Sequence, residues 1–469
     1  MSGKSKYRDL SRNTLLFTIS SFGSKIISFL LVPLYTYVLS TTDYGTVDLM
    51  TTTVQLLIPI LTINIQDAVL RFSLDAECDE KEVIGEALKI IAISTALLAI
   101  GLLIIGKSNI LKMDAPYLYF LFLSFVFGSA NNCFSMYLRA RNKVLILTIG
   151  GLMNTILTCG LNIVLLLCVK MGVTGYLIAN VAGTGTAVVF MLFAGDIYKE
   201  AKFRNTNHLL KLMIPYSLPL VVNSLAWWVN NASDRYILTF FCGAGINGIY
   251  AVAYKIPTIL STVQTVFYNA WSISAIIEYD KDDKDGFIGN VYTMYSSASY
   301  LGCTILLVLN IFIARVLYSN DFFMAWKYVP FLLVGTVFNG IALFEGCIFT
   351  AVKKTKDVSI TTIMGTLVNT LLNFTLIPVI GATGAALATM VGYSSIWIVR
   401  TLQLRKIVRL KVNWRVQIES SILLIVQAVL AMTDQFYWLQ VIPTCILLII
   451  QRNNIFKVVK GIWSKLFKH

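Results

Sequence analysis

Two apolar stretches of the chain carry polar and aromatic side chains at helical spacing, in types that can form hydrogen bonds and ring contacts with a polar ligand. In the first stretch the residues recur at steps of three or four, and they are Asn223, Trp227, Asn230, Asn231 and Asp234. In the second they are Tyr250, Tyr254, Gln264 and Tyr268. Such spacing places each set on one face of a helix. Amides bond hydroxyl groups and aromatic faces stack on rings, so we expect both faces to line a polar cavity.

Cations within apolar stretches are the second chemical signal. Lys25, Arg235 and Lys255 lie well inside such stretches, where each charge costs about 2.5–3.5 kcal/mol unless it has a partner or a purpose. Two explanations remain open. Asp234 could form an ion pair with Lys25 or Lys255, or the cations could hold a phosphate through charge-assisted hydrogen bonds. Lys89 lies near the end of its stretch and can extend to the interface, so we assign it no role.

Acidic residues partly offset these cations. Asp67, Asp234 and Glu345 are the candidates to carry an inward H⁺ or Na⁺. Asp67 follows Asn64 and Gln66, two further candidates for the lining of the cavity. Lipid cannot satisfy such groups, so we expect them to face one another across an interior.

The elements that must position these residues are membrane-spanning helices. The chain is 57% hydrophobic and only 13% charged, which is too apolar for a soluble domain of this length. We count fourteen apolar runs of roughly the 20 residues that cross a bilayer. They begin near residues 13, 46, 84, 115, 144, 174, 212, 247, 287, 328, 357, 382, 416 and 435.

The positive charges predict the orientation of these spans. With the N-terminus inside, the predicted cytoplasmic segments hold 29 of the 38 Lys and Arg residues and the external gaps hold five. Because loops rich in Lys and Arg stay cytoplasmic, both termini are predicted to be cytoplasmic. The net charge of +14 is then explained by attraction to the anionic lipids of the inner leaflet, and no nucleic-acid partner is needed.

A weak internal repeat predicts two lobes. The segment 172–183 matches the segment 381–392, with Gly, Thr, Gly, Ala and Gly at the same offsets. Since six spans separate the copies, they point the same way, as in parallel repeats around a central cavity. We therefore predict an N-lobe over residues 1–205, a C-lobe over 206–402, and two extra helices with a basic tail over 403–469. Small residues that merely let helices pack closely are the simpler alternative.

Several other patterns carry no chemistry. The segment Gly101–Ser108 satisfies the literal P-loop pattern, but four apolar residues fill it and it ends a span, so we attribute it to chance. The segment Asp280–Asp285 lacks the spacing of a calcium loop and is interpreted as a solvated turn. Eight Cys without a CxxC pair, and only two His, predict neither disulfides nor a zinc site. We expect no cofactor and no catalytic residues.

Taken in order, three segments resemble a known family. They are Ser24–Tyr35 with Asp43-Tyr44-Gly45 after it, Asp234-Arg235-Tyr236-Ile237-Leu238, and Gly248–Pro257. They are similar to the polysaccharide transporter or Wzx-type flippases, which belong with MATE exporters and MurJ to the multidrug/oligosaccharidyl-lipid/polysaccharide export superfamily. The resemblance covers essentially the whole chain. It implies an all-α, MATE-like polytopic membrane protein in a bacterial cytoplasmic membrane.

The resemblance also implies an activity. It implies that undecaprenyl-pyrophosphate-linked oligosaccharide moves from the inner to the outer leaflet by alternating access, for surface polysaccharide assembly. By analogy, the pyrophosphate would be held by Lys25, Arg71, Arg235 and Lys255. The partners it implies are the lipid-linked substrate, membrane lipids, and the polymerase and glycosyltransferases of the same pathway.

Three alternatives come from other functional classes or substrates. A cation-coupled multidrug exporter predicts a cavity dominated by acidic residues, and the cations named above argue against it. A lipid II flippase of the same superfamily is a second alternative. A membrane-bound glycosyltransferase or ligase is a third, and it would need a soluble active site. No loop much exceeds about 15 residues, which leaves little room for one.

Overall fold

The computed structural model describes residues 23, 25–75, 77–108, 115–203, 207–433 and 435–466, which form helices and turns with no β-strand among them. Both chain termini, predicted to be cytoplasmic, lie outside this part. The helices of the first half are α1 (Lys25–Val38), α2 (Thr41–Leu61), α3 (Ile65–Ser73), α4 (Glu80–Ser108), α5 (Ala115–Ala140), α6 (Val144–Ile163), α7 (Gly172–Ala194) and α8 (Ile197–Glu200). Those that follow are α9 (Asn207–Cys242), α10 (Ala244–Ala253), α11 (Lys255–Ile277), α12 (Phe287–Val308), α13 (Asn310–Leu317), α14 (Val329–Ala351), α15 (Thr355–Leu404), α16 (Trp414–Ala431) and α17 (Val441–Leu466).

The helices are long and apolar enough for a multi-pass membrane protein. Within the described residues, nine helices pass the length and composition expected of a span, and ten do so if α2 and α3 count as one. This is fewer than the fourteen predicted. Part of the difference lies in α15, which has non-helical backbone at Ile380 and Gly381 and therefore consists of two consecutive rods. The number fourteen stays a prediction.

The second span is broken. The helices α2 and α3 meet at 56°, and Ile63 and Asn64 between them both have positive φ, 52° and 51°. Positive φ is strained for a β-branched residue such as Ile63. The break exposes backbone groups that need partners, and the hydroxyl of Ser94 in α4 donates to the Leu61 carbonyl at 2.6 Å. The sequence analysis placed polar residues here and did not predict the break.

The eighth predicted span, Asn247–Glu278, is also two helices. Helix α10 ends at Ala253 and α11 begins at Lys255, with Tyr254 between them. Pro257 explains the position, because a proline ring clashes with the carbonyl four residues before it, which is that of Ala253. In contrast, α9 remains one continuous helix through Pro215 and Pro219.

The chain forms two compact units, Met1–Ala232 (the N-unit) and Ser233–His469 (the C-unit). The boundary between them falls inside α9. In the C-unit, α16 and α17 are joined to α12 by buried polar contacts. Ser297 donates to Gln451 at 2.9 Å, and Gln427 donates to the Thr304 carbonyl at 3.3 Å. Within the C-unit, the last two helices therefore pack on α12 through hydrogen bonds as well as apolar contact.

Each unit contains the same helix pair at the repeated sequence. The first glycine of each copy, Gly172 and Gly381, has positive φ, 56° and 58°, and so turns the chain from one helix into the next. The last glycine of each copy, Gly183 and Gly392, leaves room for the preceding helix. A Cβ at Gly392 would lie 2.8 Å from Asn369 Cβ, and one at Gly183 would clash with the hydroxyl of Thr158. The repeat is therefore structural as well as sequential.

The two units also share a backbone hydrogen bond at one end. This is the end that the positive charges predict to be cytoplasmic. In the N-unit, Lys202 donates its backbone N–H to the carbonyl of Lys81 at 2.9 Å, and its ammonium contacts Asp79 at 2.7 Å. This contact and the backbone N–H of Lys81 hold the pKa of Asp79 below its ordinary value. In the C-unit, Arg409 donates its backbone N–H to the carbonyl of Lys281 at 3.0 Å. In both units the chain after the repeated helix pair is thus tied back to an earlier turn.

The segment Asp280–Asp285 is more ordered than the solvated turn that the sequence analysis assumed. Asp283 is buried, and its carboxylate accepts from the backbone N–H groups of Ile288 and Gly289, both at 3.0 Å, and of Lys411 at 3.3 Å. It therefore caps the beginning of α12 and fixes the turn before α16. Residues 281, 282, 284 and 285 are exposed, as expected of a solvated turn. Asp283 is the exception, because spacing alone does not reveal which backbone groups a carboxylate will meet.

We expect Gly384→Ala to destabilise the protein. A Cβ at Gly384 would lie 2.7 Å from the backbone carbonyl of Leu376, and backbone cannot rotate away. Overpacking of this kind costs about 1–3 kcal/mol. Thermal unfolding of the purified protein in detergent measures the loss. Gly160→Ala is the matched control, since nothing lies within 4 Å of its Cβ, and it should unfold at or above the wild-type temperature. If both variants unfold at the same temperature, the result would contradict the close packing of Gly384 against Leu376.

Candidate functional site

Three predicted residues of the C-unit, Arg235, Tyr250 and Tyr254, contact one buried carboxylate. Asp234 near the end of α9 is almost fully buried, and it accepts hydrogen bonds from the hydroxyls of Tyr250 at 2.8 Å and Tyr254 at 3.1 Å. The backbone N–H of Arg235 donates to its other oxygen at 2.9 Å. Three donors thus replace the water that a carboxylate loses on burial.

The two tyrosines lie at the end of α10, where the backbone at Tyr254 keeps right-handed helical dihedral angles, φ −66° and ψ −15°. Tyr250 and Tyr254 are four residues apart, so they lie on one face, and their hydroxyl oxygens are 3.2 Å apart. Tyr254 is the residue at the break itself. The guanidinium of Arg235 lies over the Tyr254 ring at 5.5 Å from its centroid, a cation–π contact. One tyrosine therefore contacts both the anion and the cation of the Asp234-Arg235 pair.

Polar side chains of α15 extend the cluster further into the C-unit. Thr389 is within hydrogen-bonding reach of Tyr250. Asn369 donates to the Thr389 hydroxyl at 3.4 Å, and Asn373 donates to the Asn369 side-chain oxygen at 3.0 Å. A continuous series of oxygen-bearing side chains thus leads from Asp234 through the repeated helix pair.

Two residues predicted to line a cavity are instead buried within the C-unit. Tyr250 has no exposed surface and points its hydroxyl at Asp234. Gln264 is 6% exposed, and its amide packs where a Cβ on Gly340 would lie. Neighbouring helices cover both side chains, because helical spacing identifies a face and does not reveal which helix packs against it. Their part in binding a substrate stays a prediction. Glu345 is buried in the same way.

The other predicted residues of α9 and α11 are accessible to different extents. Asn223, Trp227, Asn231 and Tyr268 are exposed, whereas Asn230, Arg235, Tyr254 and Lys255 are half-buried. Asn231 donates its amide to the Trp227 carbonyl at 2.9 Å. Amide and aromatic groups are therefore available along these helices, as a polar ligand would require.

The predicted residues of the N-unit gather at the break between α2 and α3. Asn64 is buried and donates to the Asp67 carboxylate at 2.5 Å, and Gln66 donates to Asn64 at 3.1 Å. Arg71 at the end of α3 is exposed and pairs with Asp75 at 3.2 Å. Lys25 at the start of α1 is exposed. The structure thus joins Asn64, Gln66 and Asp67 into one group, whereas Arg71 lies further along α3 and Lys25 lies on α1.

A second buried polar group lies in the C-unit around Glu345. One oxygen of Glu345 accepts from the hydroxyls of Thr401 at 2.6 Å and Tyr292 at 3.3 Å. Arg400, next to Thr401, is close enough to act on Glu345 electrostatically. The guanidinium donates to the carbonyls of Ala342 at 2.8 Å and Val358 at 3.0 Å, and to the hydroxyls of Thr361 at 2.9 Å and Thr362 at 2.7 Å.

Arg400 is a buried cation that the sequence analysis missed. It is 4% exposed and joins α14 to both rods of α15. Arg400 follows the apolar run Ile396–Val399 and was counted among the cations of the predicted cytoplasmic segments. Its adjacency to Thr401 in a helix opposite Glu345 was the available signal. Lys89 was also misjudged, since it pairs with the fully buried Glu86 at 2.9 Å instead of only extending to the interface.

The fold is shared with transporters of one superfamily. The lipid II flippase MurJ in its inward closed conformation superimposes with a TM-score of 0.68 at 16% identity, over 97% of this chain and 100% of that one. A multidrug resistance MATE family transporter of the MOP superfamily, in an inward-facing conformation, gives 0.63 at 14% identity over 81% and 94%. A MOP superfamily transporter from Pyrococcus furiosus gives 0.57 at 13% identity over 85% and 95%. These similarities confirm the predicted MATE-like fold.

A sequence comparison adds the family. The profile of the polysaccharide biosynthesis proteins matches residues 10–272, more than half of the chain. The chain therefore belongs to the polysaccharide biosynthesis protein family, with the fold of a MOP superfamily transporter. No significant match is found among curated proteins.

We expect Tyr250→Phe to lower the stability of the C-unit. The change removes one of three donors to a buried carboxylate, a loss of about 1–3 kcal/mol. Thermal unfolding in detergent measures it. Tyr37→Phe makes the same change at a side chain that is 69% exposed, and it should leave the transition unchanged. If both variants unfold at the wild-type temperature, Tyr250 does not support Asp234.

Arg400→Lys should destabilise the protein although it keeps the charge. A single ammonium cannot reproduce the planar fork that reaches four acceptors, and disrupting a buried ionic group costs about 3–5 kcal/mol. The folded fraction after detergent extraction and heating measures the loss. Arg409→Lys is the matched control, because Arg409 is exposed and lies 4.0 Å from Asp282. Equal folded fractions would show that Arg400 is not a structural cation.

Proposed function

We propose that this protein is a flippase that moves undecaprenyl-pyrophosphate-linked oligosaccharide from the inner to the outer leaflet for surface polysaccharide synthesis. Membership of the polysaccharide biosynthesis family, together with the transporter fold, is the observation that carries this proposal. The substrate is an anion joined to sugars and a lipid. The chain offers basic side chains for the anion, and amide and aromatic side chains for the sugars.

The pyrophosphate would be held by Lys25, Arg71, Arg235 and Lys255. All four are exposed or half-buried, so each can reach a ligand. Arg235 is the best positioned, because the Tyr254 ring supports its guanidinium and the Asp234 cluster fixes the backbone beside it. A guanidinium so held can offer paired N–H groups to phosphoryl oxygens at little cost in side-chain entropy.

The sugars would contact the amide and aromatic groups that remain accessible. Asn223, Trp227, Asn230, Asn231, Tyr254 and Tyr268 meet this condition. Trp and Tyr faces suit the apolar faces of sugar rings, and Asn side chains both donate to and accept from hydroxyls. Such contacts tolerate different sugars, as expected for a carrier that recognises mainly the shared pyrophosphate.

The direction of transport follows from charge. An anionic headgroup leaving a negative interior gains about 2.3 kcal/mol for each charge that crosses 100 mV. Inward movement of H⁺ or Na⁺ on Asp67, Asp234 or Glu345 would add to this driving force. Asp234 has two neighbouring hydroxyl oxygens, from Tyr250 and Tyr254, and it lies next to the proposed pyrophosphate contact Arg235. We propose it as the principal coupling residue.

The proposal also includes the setting of the protein. It would lie in the bacterial cytoplasmic membrane with both termini in the cytoplasm, and work by alternating access with lobes at residues 1–205 and 206–402. It would act as a carrier and not as an enzyme. It would receive substrate from glycosyltransferases and pass it to a polymerase.

A cation-coupled multidrug exporter is the second candidate, and the similarity in fold to MATE transporters supports it. The accessible cations Lys25, Arg235 and Lys255 argue against it, because they would repel cationic drugs. Deletion of the gene distinguishes the two. Deletion of a flippase leaves lipid-linked oligosaccharide on the inner leaflet, whereas deletion of an exporter changes drug resistance.

Lys25→Ala and Arg235→Ala should each abolish surface polysaccharide while the protein is still made and inserted. Each removes a charge-assisted contact to the pyrophosphate, and such contacts contribute about 1.5–3 kcal/mol. Immunoblotting of extracted surface polysaccharide measures the product, and a fluorescent fusion measures the level of the flippase.

Lys170→Ala serves as the control for this pair. It removes one exposed Lys at the turn before α7, away from the proposed contacts, and polysaccharide should be normal. Normal polysaccharide in both Lys25→Ala and Arg235→Ala would rule out the proposed pyrophosphate site. Loss in Lys170→Ala as well would indicate a general effect of charge.

A further inference from the structure

The surface of the N-unit carries two apolar grooves, one on each side of Tyr119. The first lies between α4 and α5 and has a volume of about 360 Å³. The second lies between α5 and α7 and has a volume of about 350 Å³. Both are at the low end of the range of about 300–1,000 Å³ that is typical of small-molecule sites. Tyr119 belongs to both grooves and forms the ridge between them.

Small residues create the grooves. Ala99, Gly106 and Ala115 line the first, and Ala182 lines the second. A Cβ on Gly106 would touch only the Leu118 side chain, at 3.5 Å, so a larger side chain there would extend into open space. Large apolar residues form the walls, with Leu103 and Phe122 in the first groove and Leu177 in the second. The grooves therefore suit flexible hydrocarbon chains.

One cation lies at the end of the first groove. Lys107 is exposed and lines this groove where α4 ends and α5 begins. The second groove reaches the same end of the N-unit, since its lining includes Pro116 near the start of α5 and Thr174 near the start of α7. Among the described residues, no acidic side chain lines either groove. The first groove thus ends at Lys107, and the second groove reaches the same end of the N-unit.

We propose that these grooves bind one diacyl glycerophospholipid with an anionic headgroup. One acyl chain occupies each groove, Tyr119 lies between the chains, and the headgroup phosphate contacts Lys107. Twin grooves that flank one residue match a lipid with two chains, and an ammonium forms charge-assisted bonds with phosphate oxygens. Tyr119 is 69% exposed, and an interfacial tyrosine can present its ring to the chains and its hydroxyl to the headgroup.

This site also accounts for the pattern Gly101–Ser108. The segment is helical up to Ser108, so it forms no phosphate-binding loop. Its Gly106 and Lys107 instead provide the floor and the charged end of the first groove. The charge pattern of the sequence predicts that this end of the N-unit is external, so the lipid would belong to the outer leaflet. The proposal does not depend on the identity of the transported substrate.

Native mass spectrometry of the purified full-length chain, with palmitoyl-oleoyl-phosphatidylglycerol or palmitoyl-oleoyl-phosphatidylcholine added, tests this site. The wild type should retain one phosphatidylglycerol more tightly than phosphatidylcholine. Lys107→Gln should reduce that preference by about fivefold, because a basic residue near an anionic headgroup contributes roughly that much. Lys199→Gln is the matched control, because Lys199 is exposed, lies in α8 beyond the opposite end of α7 and lines neither groove, and it should retain the wild-type preference.

Two variants test the number of chains. Gly106→Leu fills the first groove and Ala182→Leu fills the second, so each should weaken binding of the diacyl lipid at least tenfold. The single-chain lyso-phosphatidylglycerol should bind more weakly than the diacyl lipid to the wild type. Loss in only one of the two variants would indicate a single-chain occupant, such as an isoprenoid, and would overturn the proposal. An unchanged preference in Lys107→Gln, which leaves the core intact, would overturn it as well.

Discussion

Charged and polar groups inside a membrane protein must find their partners within the protein, and this constraint organises both units. In the C-unit, Asp234 and Glu345 are each held by two side-chain hydroxyls, and Arg400 is held by four oxygens. In the N-unit, the carbonyl freed by the broken second span is bonded by Ser94. Each such bond joins two helices, so the polar groups determine which helices lie side by side.

The repeated helix pair solves a packing problem in the same way twice. A positive φ at Gly172 and at Gly381 reverses the chain within a few residues, and later glycines let the second helix approach the first. The polar content of the two copies differs. Thr158 meets Gly183 in the N-unit, whereas Asn369 meets Gly392 and continues to Thr389 in the C-unit. The same scaffold therefore carries a longer polar series in the C-unit, where Asp234 lies.

Sequence patterns predicted the fold because hydropathy and charge act over whole helices. The spans follow from the length of the apolar runs, and the repeat follows from the spacing of its glycines. The interruption before Pro257 follows from the geometry of that proline. The candidate site was predicted less completely. Tyr250 and Gln264 were placed on polar faces, but only packing shows that another helix covers them. Arg400 looked like a loop residue because its partners come from α14 and the distant end of α15. The break at Ile63 and Asn64 was missed, because two left-handed residues leave no simple mark in a sequence.

The position of Tyr254 has a mechanical consequence. It is the residue between α10 and α11, its hydroxyl bonds Asp234, and its ring supports Arg235. A change in the angle between α10 and α11 must therefore move the hydroxyl, the ring or both. Conversely, a ligand that draws Arg235 away, or a cation that occupies Asp234, changes the forces at the joint. Tyr254 therefore links the position of the Arg235 guanidinium to that of the Asp234 carboxylate.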